Sequence, residues 1–281
     1  MKIAIEGTVG VGKSTLAEIL SEELGLSLYE EQFNNPYFDD FYENPEKYAF
    51  PMHVQLYHQQ YFHAYEALTK GNCVLDRTVY AGQVFMSVLQ DNNSITFLDF
   101  CNYMEMSRQF NELCPVPDVL IYLTSSKQTV INRIMNRNRK SELSASIEYW
   151  YKLHDAYESW FDEYDKSLKI SINTDHLDIV NNPEDRARLV NQIKTFLKTN
   201  YIEKHYKIGE WEITDPNSYR KYLDISWILH NKTMHGPELE HLETQREMYF
   251  DNIVASIDYT FTEAELETLI NLLSERADQV E

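Results

Sequence analysis

The chain of 281 residues carries a formal net charge of −20 and a sequence pI near 4.8, a balance that repels nucleic acid and anionic membranes and leaves a small soluble ligand as the expected partner. No apolar run approaches the roughly 20 residues that span a bilayer, and the first residues enter a strand rather than a signal peptide, so a cytoplasmic protein is expected. The three cysteines, Cys73, Cys101 and Cys114, lie far apart beside apolar residues, as buried free thiols in a reducing compartment would.

Residues 2–6 read as a short buried strand through Ile3, Ala4 and Ile5, and residues 15–24 place Leu16, Ile19, Leu20 and Leu24 at helical spacing. Between them runs Gly7, Thr8, Val9, Gly10, Val11, Gly12, Lys13, Ser14 and Thr15, which matches the phosphate-loop pattern G-x-x-x-x-G-K-[ST]. Its glycines let successive N–H groups converge on one anion, Lys13 reaches the β- and γ-phosphates, and Ser14 offers its hydroxyl to Mg²⁺. A nucleoside triphosphate is therefore the expected ligand. A plain Gly-rich turn does not explain strand, loop and helix in this order.

A second strand at 27–29 leads into Glu30, placed where strand ends face the ligand crevice of a parallel sheet. There a carboxylate can take the proton of an attacking hydroxyl, although strand-end acids are often only solvated. Residues 29–46 hold several acids and no Lys or Arg, which suits a neutral nucleoside better than an acceptor already carrying phosphate. A long helix is expected over 46–69, with Pro45 and Pro51 near its start. Its His53, His58 and His63 recur every five residues and spread around the helix, which argues against a metal site. Phe50, Tyr57 and Phe85 could sandwich a flat base, Phe50 foremost; the default for all three is core.

After a strand at 73–75 comes Asp76-Arg77-Thr78, where an acid can hold Mg²⁺ through water and an arginine can steady charge on a transferred phosphoryl group. Helices are expected over 79–90, 95–114, 128–136, 147–164 and 184–198, with strands at 119–123 and 168–172. This βαβ rhythm predicts an α/β fold, a parallel sheet with helices on both faces. Arg133, Arg137, Arg139 and Lys140 concentrate four positive charges in an otherwise acidic chain. They read as a cationic lid over donor phosphates, effective once water is excluded. Beyond residue 200 the chain holds 7 Lys and Arg against 17 Asp and Glu and shows no further βαβ unit. We expect a core domain over 1–200 and an acidic helical extension over 201–281, with helices near 219–230, 238–257 and, behind the capping box Thr262-x-x-Glu265, one presenting Leu266, Leu269, Ile270 and Leu273.

The phosphate loop, the Y-E-x-x-x-N-N-P-Y-F-x-x-F-Y run from Tyr29 to Tyr42, the D-R-T triplet, CPVPDVLIYL at 114–123, the R-I-x-x-R-x-R segment and I-E-Y-W-x-x-L-H-x-x-Y-E-x-W at 147–160 occur together and in order. Over residues 1–200 the chain resembles the bacterial deoxyadenosine/deoxyguanosine kinases. The resemblance implies a P-loop kinase fold and transfer of the ATP γ-phosphate to the 5′-hydroxyl of a deoxynucleoside, purine preferred, with Mg²⁺. It implies Glu30 as general base, Arg77 beside the 5′-oxygen and Asp76 as the acidic Mg²⁺ partner. Tyr42 and Glu142 would bind the sugar 3′-hydroxyl, and Arg133, Arg137 and Arg139 would be lid arginines. It implies a homodimer through the helices over 46–69 and 79–90. Three positions depart from the family's base-reading pattern: His53 stands for an amide, Gln60 for an arginine and Gly82 for an aspartate. A nucleoside monophosphate kinase and a catalytically silent nucleotide-binding regulator, with a protein partner on the extension, are the alternatives.

Overall fold

A computed structural model describes residues 1–31, 34–202, 207–209, 211–231, 236–257 and 259–277. Five strands, β1 (Lys2–Glu6), β2 (Ser27–Tyr29), β3 (Cys73–Asp76), β4 (Val119–Thr124) and β5 (Leu168–Asn173), form one parallel sheet in the order β2-β3-β1-β4-β5. β1, β3 and β4 read as near-continuous apolar runs because helices cover both of their faces. The register sets Ile5 opposite both Asp76 and Ile121, so β1 and β3 finish side by side at their C-terminal edge. Ligands of doubly wound sheets bind at that edge.

The helices are α1 (Lys13–Leu24), α2 (Phe38–Glu43), α3 (Pro45–Lys70), α4 (Ala81–Asp91), α5 (Phe97–Leu113), α6 (Lys127–Arg137), α7 (Lys140–Leu143), α8 (Ile147–Glu163) and α9 (Pro183–Leu197). Asn44 caps α3, accepting from Lys47 N at 3.3 Å, and Pro45 fills its first position, while Pro51 falls inside the helix. Short α2 and α7 carry too few apolar repeats to be read as periodic segments. Of the cysteines, Cys73 and Cys114 are buried free thiols, but Cys101 is exposed; it sits on the outer face of α5, where only Tyr103 and Ser107 are buried.

The chain divides into two compact units, Met1–Val190 and Asn191–Glu281. The division falls within α9 and ahead of the boundary expected near residue 200. The second unit contains a hairpin, β6 (Lys207–Ile208) and β7 (Trp211–Glu212), turning at Gly209 with φ +60°. Three helices follow, α10 (Pro216–Asn231), α11 (Pro237–Ser256) and α12 (Glu263–Ala277). The capping box forms: Thr262 N donates to Glu265 Oε2 at 2.9 Å and Glu265 N to Thr262 Oγ1 at 3.4 Å. Leu269 and Leu273 are buried on α12, but Ile270, expected beside them, is exposed because it lies one residue round the helix from Leu269.

A chain ended after residue 202 is expected to fold cooperatively and bind ATP, as followed by thermal unfolding with and without nucleotide. An insoluble product would show that the extension completes the core.

Candidate active site

The phosphate loop leaves the end of β1 through backbone that only glycine adopts without strain. Gly7 has φ +148°, and a Cβ there would stand 2.3 Å from the Leu123 carbonyl oxygen; Gly12 has φ +101° and precedes the first turn of α1. Lys13 opens that helix, buried, with Nζ donating to the Thr8 carbonyl at 2.9 Å. Burial, and then the neighbouring Arg77 guanidinium, pull the Lys13 ammonium down to about 8, against the opposing pull of Glu31, Glu6 and Asp76.

A cleft of about 810 Å³ opens over this loop. Along one stretch it is lined by Val9 to Thr15, Arg133, Arg137, Arg139 and the segment 174–181. The rest of its wall includes Glu31, Asn35, Phe38, Phe41, His53, Gln60, Gly82 and Phe85 from β2–α2, α2, α3 and α4, with Arg77 between. One stretch is thus built for anions, and the other is largely apolar, with a few neutral polar groups and the Glu31 carboxylate beside Arg77.

Arg77 sits in left-handed backbone at φ +79° and is buried. Its Nε lies 2.5 Å from Glu31 Oε1, off the N–H axis, so the contact is an ion pair rather than an aligned hydrogen bond. Nη1 donates to the Tyr157 hydroxyl at 2.6 Å and approaches Glu6 Oε1 at 3.4 Å, and the guanidinium lies 5.7 Å from the Phe85 ring centre. Burial alone would push this guanidinium down; Glu31, Tyr157, Glu6 and Asp76 reverse that and hold it well above its ordinary value.

The arginines expected to form a lid divide. Arg133 is turned to the 174–181 segment, donating to Thr174 Oγ1 at 2.8 Å and to the Thr174 carbonyl at 2.6 Å, so it braces that wall. Arg137 forks onto the Glu142 carboxylate, with Nε at 3.1 Å, and Arg139 Nη1 stands 3.7 Å from the same group. Glu142 is buried beneath them.

Several expected positions differ. Glu30 is exposed and outside the cleft lining, whereas Glu31, with its side chain 11% exposed, lines it. β2 ends at Tyr29, so strand alternation no longer dictates which of the two acids faces inward. Phe50 packs against the hydrophobic core instead of lining the cleft, and Phe38, Phe41 and Phe85 supply its aromatic wall. Gly7, Thr8 and Asp76 also lie behind the lining. The Tyr42 side chain is outside the described residues. Glu6 and the 174–181 segment have distant partners and no motif, although a charged residue closing the apolar run KIAIE is a visible signal for Glu6; Tyr157 belongs to the motif at 147–160, but its bond to Arg77 is not legible there.

The family model for deoxynucleoside kinases matches residues 3–198. The chain belongs to the deoxynucleoside kinase family. It is 36% identical over 206 residues to the deoxyguanosine kinase of Lactobacillus johnsonii, a match covering 70% of this chain and 92% of that one. It is 31% identical over 205 residues to the deoxyadenosine/deoxycytidine kinase of Bacillus subtilis, covering 70% and 94%. The solved deoxyadenosine kinase of M. mycoides with dATP bound superposes with a TM-score of 0.62 at 30% identity, over 69% of this chain and all of that one. The same kinase has also been solved with the products dCMP and dCDP, at the same TM-score of 0.62. The chain is a phosphotransferase on a P-loop kinase fold.

The wall at the three departing positions, His53, Gln60 and Gly82, carries uncharged groups. His53, 2% exposed, has no hydrogen-bond partner on either ring nitrogen, and Gln60 Oε1 and the Tyr103 hydroxyl are likewise unpartnered. A Cβ on Gly82 would fall 2.1 Å from that hydroxyl, so Tyr103 fills the space that a side chain at 82 would need. Burial pulls the His53 imidazole down to about 4. The unfolded chain therefore takes up a proton as pH falls through the ordinary histidine value of about 6.5, and the folded chain does so only near 4. We expect stability to fall across this window by up to about 3 kcal/mol from this residue, and His53→Gln to flatten the slope in urea titrations at stepped pH. Parallel slopes for the two proteins would contradict it.

Proposed function

We propose that the protein transfers the γ-phosphate of ATP to the 5′-hydroxyl of a purine deoxynucleoside in the cytoplasm. The observation that carries this reading is the cleft itself, in which the phosphate loop and the Arg77–Glu31 pair share one space while the base-facing stretch holds no cation beyond Arg77. A nucleotide acceptor would bring a second phosphate to the reacting end beside Arg77, whose guanidinium is already paired with Glu31 and Glu6 and leaves no spare cation for it. The purine preference rests on the relatives, among them deoxyguanosine and deoxyadenosine kinases.

Glu31 takes the 5′-hydroxyl proton as the oxygen attacks the γ-phosphorus, the bond to the β–γ bridging oxygen breaks, and ADP leaves. Arg77 stands beside the same oxygen and meets the charge that develops on the phosphoryl group. Lys13 and the loop amides hold the β- and γ-phosphates. Arg137 and Arg139 exchange Glu142 for donor phosphate, which frees that carboxylate, with Tyr42, for the sugar 3′-hydroxyl. The residues present fit Mg²⁺: Ser14 lines the cleft, and buried Asp76 has an Oδ1 without a hydrogen-bond partner. Among the described residues no cluster of three His, Cys, Asp or Glu could cage a metal; in this reading phosphate and water supply most of the ion's ligands. Bound there, Mg²⁺ would neutralise phosphate charge.

Among the described residues no helix is long and apolar enough to cross a membrane. A homodimer forms, in this reading, through α3 and α5, where Phe62, Tyr65, Phe97, Leu98, Phe110 and Leu113 are exposed. α4, expected to take part, buries most of its residues in the core. The acidic second unit serves a protein partner or regulation.

An ADP-release assay with the four deoxynucleosides should show turnover, with purines fastest. Glu31→Gln should lower kcat by about 10²-fold or more, and Lys13→Ala should likewise cripple transfer, while Glu30→Gln stays near wild type. Turnover of dAMP or dGMP but of no nucleoside would reassign the acceptor.

A further inference from the structure

Glu6 closes β1 and is wholly buried, yet it lies outside the cleft lining and touches no reactant in the mechanism above. Its carboxylate is surrounded by donors. Oε1 accepts from Gly7 N at 3.1 Å and lies 3.4 Å from Arg77 Nη1, and Oε2 accepts from Thr78 N at 2.8 Å and Thr78 Oγ1 at 2.9 Å. One side chain thus joins the first amide of the phosphate loop to the turn that carries Arg77. We infer that Glu6 is a positioning residue for phosphoryl transfer, holding the Arg77-Thr78 turn in a fixed relation to the phosphate loop. The inference rests on the kinase reading of the cleft.

Three features support it. Arg77 occupies left-handed backbone, a conformation that a long L side chain keeps only when its surroundings impose it. The two bonds from Glu6 to Thr78, together with Arg77 N donating to the Ile5 carbonyl at 2.9 Å, impose it from β1. Second, the other carboxylate on Arg77 is Glu31, which changes protonation during each turnover in the proposed mechanism. A fixed pose needs an anchor whose charge does not change, and Glu6 is sealed from solvent on the central strand. Third, burial holds the Glu6 carboxyl above its ordinary value, and Arg77, Lys13 and the amides of Thr78 and Gly7, which ring it, offset part of that rise. A glutamine keeps the volume of Glu6 while offering one accepting oxygen, and turns an N–H₂ toward groups that themselves donate.

The test is a double-mutant cycle in the full-length protein. Glu6→Gln should lower kcat by about 10²-fold, the scale of a misplaced catalytic group, with the Kd for ATP changed less than about threefold. In an Arg77→Lys background, which keeps the charge and loses the guanidinium fork, the same change should lower kcat far less. A merely structural role would lower kcat equally in both backgrounds, and that result would overturn the inference, as would a wild-type kcat in Glu6→Gln. If Glu6→Gln does not fold, Thr78→Val removes one of the donors without stranding a charge and is run through the same cycle, with about a tenfold loss expected in the Arg77 background alone. Wild-type turnover with a deoxynucleoside, measured first, separates failure of this inference from failure of the kinase reading.

Discussion

The cleft is organised by the burial of one guanidinium between two carboxylates. Arg77 reaches Glu31 at its Nε and Glu6 at its Nη1 while almost no part of it meets solvent. Removing ions from water is expensive, and such a group persists only when its partners are well placed and its remaining protons are used. Here Tyr157, from α8, takes the remaining contact on Nη1. The same cluster sets the neighbouring charge, because Arg77 helps to pull Lys13 down while Glu31, Glu6 and Asp76 hold it up. The phosphate-loop lysine and the Arg77 pairs therefore belong to one electrostatic unit.

Sheet order makes that unit possible. β1 delivers Glu6 and the phosphate loop, and its neighbour β3 delivers Asp76 and the Arg77 turn, so the two loops emerge adjacent although about 70 residues separate them. Strand order places β2, and with it Glu31, on the far side of β3. From there the carboxylate can lie against Arg77 without entering the phosphate loop.

How much of this was legible follows from how local each feature is. The strands β1, β3 and β4 and the phosphate loop could be read because buried parallel strands are near-continuous apolar runs and the loop's residues lie within one short stretch of chain. The choice between Glu30 and Glu31 could not, since it depends on the path taken after β2 ends. The arginine partners of Tyr157, itself part of the motif at 147–160, and of Thr174 could not be read for another reason: each meets its arginine across 80 and 41 residues respectively. Gly82 shows the same limit. Its replacement of an expected aspartate was plain in the sequence, but the hydroxyl of Tyr103 in its place appears only once α4 and α5 pack.

The most direct measurement is a crystal structure of the protein with a purine deoxynucleoside bound. The account predicts the 5′-oxygen within hydrogen-bond reach, about 2.6–3.2 Å, of a Glu31 carboxylate oxygen, with Arg77 alongside and Glu30 turned to solvent. A complex in which Glu30 meets the 5′-oxygen and Glu31 does not would contradict it.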